Sequence, residues 1–299
     1  MNESAVKKPH VVLVLAAGLL AISSAAVLIK ACEAPSLAIA FYRLLFGAIF
    51  YLLLQWRKGD LLLHIRGHGK WLFISGLALA LHFATWITSL NYTSVASSVV
   101  LVCTSPLWVS MGAALFLKEK TSPLMGVGLI VTLVGSVIIS RADFSVSPDQ
   151  LFGNVLALLG ALFAAIYLLI GRKLRPEMDT VPYVTLVYSV AAVFTGLFVL
   201  LDRTPMIGFT SQTYWLLLAV ALLPQVVGHT SFNWSLKYYS ATAVSVVILA
   251  EPVGASFLAW LFLGEGVTPV QLVGMIIITS GVSLALYVEH RQKKARLTG

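Results

Sequence analysis

Residues 90–140 read LNYTSVASSVVLVCTSPLWVSMGAALFLKEKTSPLMGVGLIVTLVGSVIIS, and residues 236–286 read LKYYSATAVSVVILAEPVGASFLAWLFLGEGVTPVQLVGMIIITSGVSLAL. Set against each other without a gap, at a displacement of 146 positions, the two stretches share 16 identities in 51 pairs. Pro106 falls on Pro252, Glu119 on Glu265, Pro123 on Pro269, Gly128 on Gly274 and Gly135 on Gly281. Apolar composition alone does not put two prolines and a glutamate in register. The chain therefore reads as an internal duplication, with a first unit expected over 1–145 and a second over 146–299.

The rest of the sequence says where these units reside. Of the 299 residues, 59% are apolar and 11% charged, and the mean hydropathy is +0.93. A soluble domain carries about 25% charged residues, so this chain has too little polar surface to cover a water-soluble core. A cytosolic enzyme, a nucleic-acid binder and a disordered protein are excluded on that ground. A membrane-crossing helix needs about 20 mostly apolar residues. Ten stretches qualify: 11–29, 36–56, 71–90, 95–117, 123–140, 152–171, 181–201, 214–235, 241–263 and 269–288, referred to as spans 1 to 10. The first follows Lys7, Lys8 and His10 like a signal peptide, but its length and the lack of a well-placed cleavage site favour a retained span. Only Arg43 and Glu251 place a charge inside these stretches. With the amino terminus cytoplasmic, 16 Lys and Arg fall on the cytoplasmic side and three, Lys30, Arg141 and Arg203, on the other. The positive-inside rule then puts both termini in the cytoplasm of a cell whose plasma (inner) membrane holds the protein. The net charge of +8 is accounted for by these loops and by a lipid-facing basic tail, Arg291, Lys293, Lys294 and Arg296, and not by nucleic acid.

Each unit holds five spans, and five is odd, so the second unit enters the membrane upside down relative to the first. The expected fold is all-α: ten transmembrane helices forming two inverted five-helix repeats. Secondary transporters are built this way, with the solute site near the midplane where the repeats meet. Channels also use inverted repeats, and that alternative stays open.

Leu249-Ala250-Glu251-Pro252-Val253, followed by Leu263-Gly264-Glu265, resembles the signature of the drug/metabolite transporter superfamily, and within it the ten-span EamA-type family. Ser105-Pro106-Leu107 and Leu117-Lys118-Glu119 are the similar earlier counterpart, lacking the acid before the proline and carrying lysine in place of glycine. Phe41-Tyr42-Arg43 resembles the membrane-embedded arginine of that family. The resemblance implies a central cavity formed by spans 1–4 and 6–9, peripheral spans 5 and 10, and export of amino acids or other metabolites. A tryptophan-rich, uncharged lining is similar to that of aromatic amino-acid exporters.

Candidate site residues follow from helical spacing. His82, Trp86 and Ser89 share one face of span 3, and Ser98, Ser105, Trp108 and Gly112 share one of span 4. Gln225, His229 and Asn233 recur every four residues in span 8, while Tyr42, Tyr167 and Tyr188 add polar-tipped rings. Aromatic walls with polar tips suit an amphipathic solute. Each lone His or Trp has the alternative role of packing between helices. Arg43 serves either as a structural anchor or as a gating or carboxylate-attracting group. Glu251 is either a neutral acid in a structural hydrogen bond or a proton-exchanging one. Pro106 and Pro252 are the expected paired hinges, since proline cannot donate an amide bond and lets a helix bend.

Gly128, Gly135, Gly274 and Gly281 permit close helix approach, either within the bundle or in a homodimer. Cys32 and Cys103 read as small apolar packers. No phosphate-binding loop, zinc motif or serine-hydrolase elbow occurs, so no cofactor, metal or enzymatic reaction is expected. A passive channel, a drug or other metabolite exporter and a polytopic enzyme acting on lipid are the alternatives to an amino-acid exporter.

Overall fold

The computed structural model describes residues 8–56, 61–93, 98, 101–119, 121–140, 148–263 and 268–298. The expected boundary between the units, Gly264-Glu265 and the basic loop residues Lys7, Arg57, Lys58, Lys120 and Arg141 lie outside them, as do the side chains of Lys30, Lys293, Lys294 and Arg296. Among the described residues there is only helix, turn and coil. Eight helices among the described residues are long and apolar enough to cross a membrane, and the shorter Ser105–Phe116 and Pro123–Ile138 supply spans 4 and 5. Leu53, Leu115, Val193, Leu200 and Ile276 point outward and are exposed, whereas Arg43 and Arg175 rank among the largest fully buried side chains. A surface apolar to this degree is suited to hydrocarbon, not water.

Inversion is visible in how repeat-mates pack. Spans 5 and 10 lie lengthwise against each other, as do spans 2 and 7. A Cβ built on Gly128 would lie 3.1 Å from Gly281 O, and one on Gly135 would lie 2.9 Å from Gly274 O. In sequence register Gly128 corresponds to Gly274 and Gly135 to Gly281, so the spatial pairs are crossed and the two helices run antiparallel. Two copies of one unit related in this way are upside down to one another. The glycines are consumed within a single chain and present no surface to a second protomer. The remaining contacts obey the same two-fold relation: span 1 packs on spans 8 and 9, and its mate span 6 packs on spans 3 and 4.

Several spans are not continuous helices, and in spans 4 and 9 the interruption repeats. Span 9 consists of Ala241–Ile248 and Glu251–Leu263, separated by a turn at Leu249 and Ala250. In span 4 the turn falls at Cys103 and Thr104, 146 positions earlier, before Ser105–Phe116. The bonding matches: Thr104 N–H donates to Leu101 O (3.1 Å) and Leu107 N–H to Thr104 O (2.9 Å), as Ala250 N–H does to Val247 O and Val253 N–H to Ala250 O (both 3.0 Å). Here the structure corrects the sequence reading of Pro106 and Pro252. They do not bend a continuous helix; each sits in the first turn of a second half-helix, where a missing amide proton costs nothing. Span 1 also breaks, at Ser24 between Lys8–Ser23 and Ala25–Lys30.

Span 8 begins as Ser211–Val220, widens to π-helix over Ala221–His229 and ends as Thr230–Ser235. Pro224 lies inside the wide segment, whose enlarged turn accommodates the ring and loosens the carbonyl ladder. Tyr51 Oη donates to Val226 O (3.0 Å) and Tyr188 Oη approaches Gln225 O (3.5 Å), which satisfies groups that hydrocarbon cannot. Helix Leu61–Ser89 starts ten residues before the expected span 3, and Pro269–Thr298 continues through the basic tail, whose Lys, Arg and Gln residues are good helix formers.

Candidate functional site

The interruptions converge. One cavity is bounded by Ile22 and Ala25 at the break in span 1, by Val102, Cys103 and Ser105 at that in span 4, and by Ile248, Leu249 and Glu251 at that in span 9. Irregular backbone at membrane depth survives where it lines a cavity or is buried in protein. Arg43, His82, Phe83, Trp86, Tyr167, His229 and Phe232 complete the polar and aromatic wall. The cavity holds about 70 Å³, about the liquid volume of two waters.

Seven of the sequence-derived candidates meet here: Arg43, His82, Trp86, Ser105, Tyr167, His229 and Glu251. His82 Nδ1 lies 2.9 Å from Gly160 O, and its ring lies parallel to that of Trp86 with centroids 6.0 Å apart. Arg43 Nε donates to Gln225 Oε1 (2.8 Å), and its guanidinium carbon stands 4.1 Å over the Phe83 ring. Glu251 faces the same cavity, but no ion pair joins it to Arg43 among the described residues.

The other candidates sit outside this lining. Tyr42 lies toward the opposite membrane face from the termini, donating to Met206 O (2.7 Å) against Tyr214. Trp108 shares its helical face with Gly112, where an added Cβ would strike Leu169 of span 6. Only Ser105, at the top of that face, reaches the cavity. Tyr188 backs it, with its hydroxyl 3.2 Å from Thr230 Oγ1. Asn233 Nδ2 donates to Tyr167 Oη and to His229 O, so it braces two wall residues from behind. Pro106 and Pro252 are buried beside the breaks. Both cysteines are buried and free; Cys103 adds to the lining, while Cys32 packs near Thr213 O.

Two arrangements escaped sequence reasoning. Arg175 is buried just past span 6, with Nε on Asn233 O (3.0 Å), Nη1 on Met178 O and Nη2 on Thr180 Oγ1. Burial lowers its pKa from the ordinary arginine value. At the membrane face where the termini lie, Arg172 Nε donates to Glu119 Oε1 (2.7 Å) and Nη1 to Leu236 O (2.7 Å). Lys118 takes the left-handed conformation usual for glycine (φ 55°), turning Glu119 N–H back onto Ala113 O (3.0 Å). The clasp thus joins the first repeat to the second. It edges a second cavity of about 230 Å³ that also touches Ser240, which bonds Glu289 through both N–H and Oγ (each 2.7 Å).

This fold and cavity define a multi-pass membrane transporter built as two inverted repeats. The EamA-like transporter family model matches residues 8–141 and again 151–287, so the chain belongs to that family. An uncharacterized transporter of Archaeoglobus fulgidus is 25% identical over 292 residues, covering 95% of this chain and 99% of that protein. The pseudopaline exporter CntI of Pseudomonas aeruginosa is 26% identical, covering 89% of this chain and 91% of its own. One solved crystal structure superposes with a TM-score of 0.81 at 16% identity, over 96% of this chain and 99% of that one. The chain is a transporter and not an enzyme.

Proposed function

We propose that the protein is a secondary exporter of small amphipathic solutes, amino acids with large or aromatic side chains foremost, seated in the inner membrane with both termini cytoplasmic. The observation that carries this reading is the cavity enclosed by matched helix breaks of two inverted repeats. At about 70 Å³ it is smaller than an amino acid, so loading requires the surrounding half-helices to move. Rocking of one repeat against the other supplies that movement and turns the site from one side to the other. The Glu119–Arg172 clasp must part whenever the cavity opens toward the cytoplasm. A relative that bears the name of an exporter supports the direction. The test is counterflow: liposomes preloaded with unlabelled L-phenylalanine should accelerate entry of the labelled compound. A channel gives no such acceleration.

Two further results are expected. Trp86→Ala should lower transport of tryptophan by about tenfold, the scale set by losing a buried aromatic contact, and Trp108→Ala by less than about threefold, since it stands outside the lining. Equal losses would place Trp108 in the path. Glu251 at membrane depth is costly as an anion, and its place beside Arg43 without an ion pair favours a proton-exchanging role. Transport driven by an imposed pH gradient should therefore become indifferent to it in Glu251→Gln. An unaltered response in that variant would assign the coupling elsewhere.

A further inference from the structure

In the lining of the central cavity, every buried side-chain polar atom that lacks a partner among the described residues is a donor: Arg43 Nη1, Arg43 Nη2 and Trp86 Nε1. Gln225 Nε2, behind Arg43, is a fourth unspent donor. Arg175 provides the comparison within the same molecule. Equally buried, it commits all three nitrogens to oxygen acceptors. A buried arginine with a purely structural role has that pattern, because an unspent N–H shielded from water is costly.

Arg43 is instead oriented and left open. Its Nε is taken by Gln225 Oε1 at 2.8 Å, and the Phe83 ring covers one face of the guanidinium at 4.1 Å. What remains is the end-on fork of Nη1 and Nη2, whose spacing matches the two oxygens of a carboxylate. Gln225 belongs to the π-helical segment of span 8. We propose that Arg43 and Trp86 Nε1 form a carboxylate-binding site, and that transported solutes carry a carboxylate docked on the Arg43 fork. This deepens the exporter reading and rests on it for the direction of transport, but not for binding.

The test uses purified full-length protein in detergent, titrated calorimetrically with phenylacetate and with its uncharged isostere phenylacetamide. Phenylacetate should bind at least about tenfold more tightly, the loss expected when a charge-assisted pair is removed. Arg43→Gln should bring the two within about twofold of each other. Arg43→Lys keeps the charge without the fork and should fall between. Should Arg43→Gln not fold, Gln225→Met serves: it frees Nε and should narrow the preference by about threefold or more. Equal binding of both compounds, no binding of either, or a preference that survives in Arg43→Gln overturns the site. If phenylacetate binds through Arg43 while no solute shows counterflow, the carrier reading fails and the carboxylate site stands.

Discussion

Gly281→Leu is expected to destabilise the protein by about 3 kcal/mol or more, at or beyond the upper end of ordinary overpacking. A Cβ there would meet Thr132 Oγ1 at 2.3 Å, Gly128 O at 2.8 Å and Thr132 N at 2.9 Å. Two of these are backbone atoms, and no rotamer change moves them. Leucine gains about 1 kcal/mol of helix propensity over glycine, and the steric term outweighs it. Gly126→Leu on the neighbouring helix is the control: nothing lies within 4 Å of its added Cβ, so propensity alone should leave it neutral or slightly more stable. Thermal unfolding of both variants in one detergent reads the difference. Similar transitions would mean that spans 5 and 10 do not cross at their glycines.

The second large effect is kinetic. Cysteines placed at positions 119 and 172 and joined by a short bifunctional thiol reagent should slow transport by about a hundredfold or more, because a carrier turns over only by passing through both orientations. Glu119 and Arg172 meet at 2.7 Å across the two repeats, with side chains only 19% and 20% exposed. Cleaving the linker should restore the rate. Undiminished counterflow in the cross-linked protein would show that the repeats do not separate at this face.

The fold was largely legible from the chain because its determinants are local or periodic. Twenty-residue apolar runs, the placement of Lys and Arg, and the register that sets Pro106 on Pro252 all survive in one dimension. His82 with Trp86 was equally readable, since i and i+4 share a helix face. Trp108 illustrates the limit: spacing shows that it shares a face with Ser105, not that this face turns toward Leu169 of span 6. Pro224 was visible in the middle of span 8, yet proline alone does not say whether a helix kinks, stops or widens; the tyrosines that take the loosened carbonyls come from spans 2 and 7. The Arg43–Gln225 and Arg172–Glu119 pairs join residues 182 and 53 positions apart. No pattern in a single sequence announces such partners.

Cys103 offers the most direct test, because one of the chain's two cysteines already lines the cavity. In a Cys32→Ala background, a membrane-impermeant thiol reagent is applied to reconstituted protein from either face, with and without the 119–172 cross-link. A site that opens to each side in turn predicts labelling of Cys103 from both faces in the free protein, and only from the face opposite the clasp once the link is in place. Labelling confined to one face in both states, or from both faces despite the link, would contradict it.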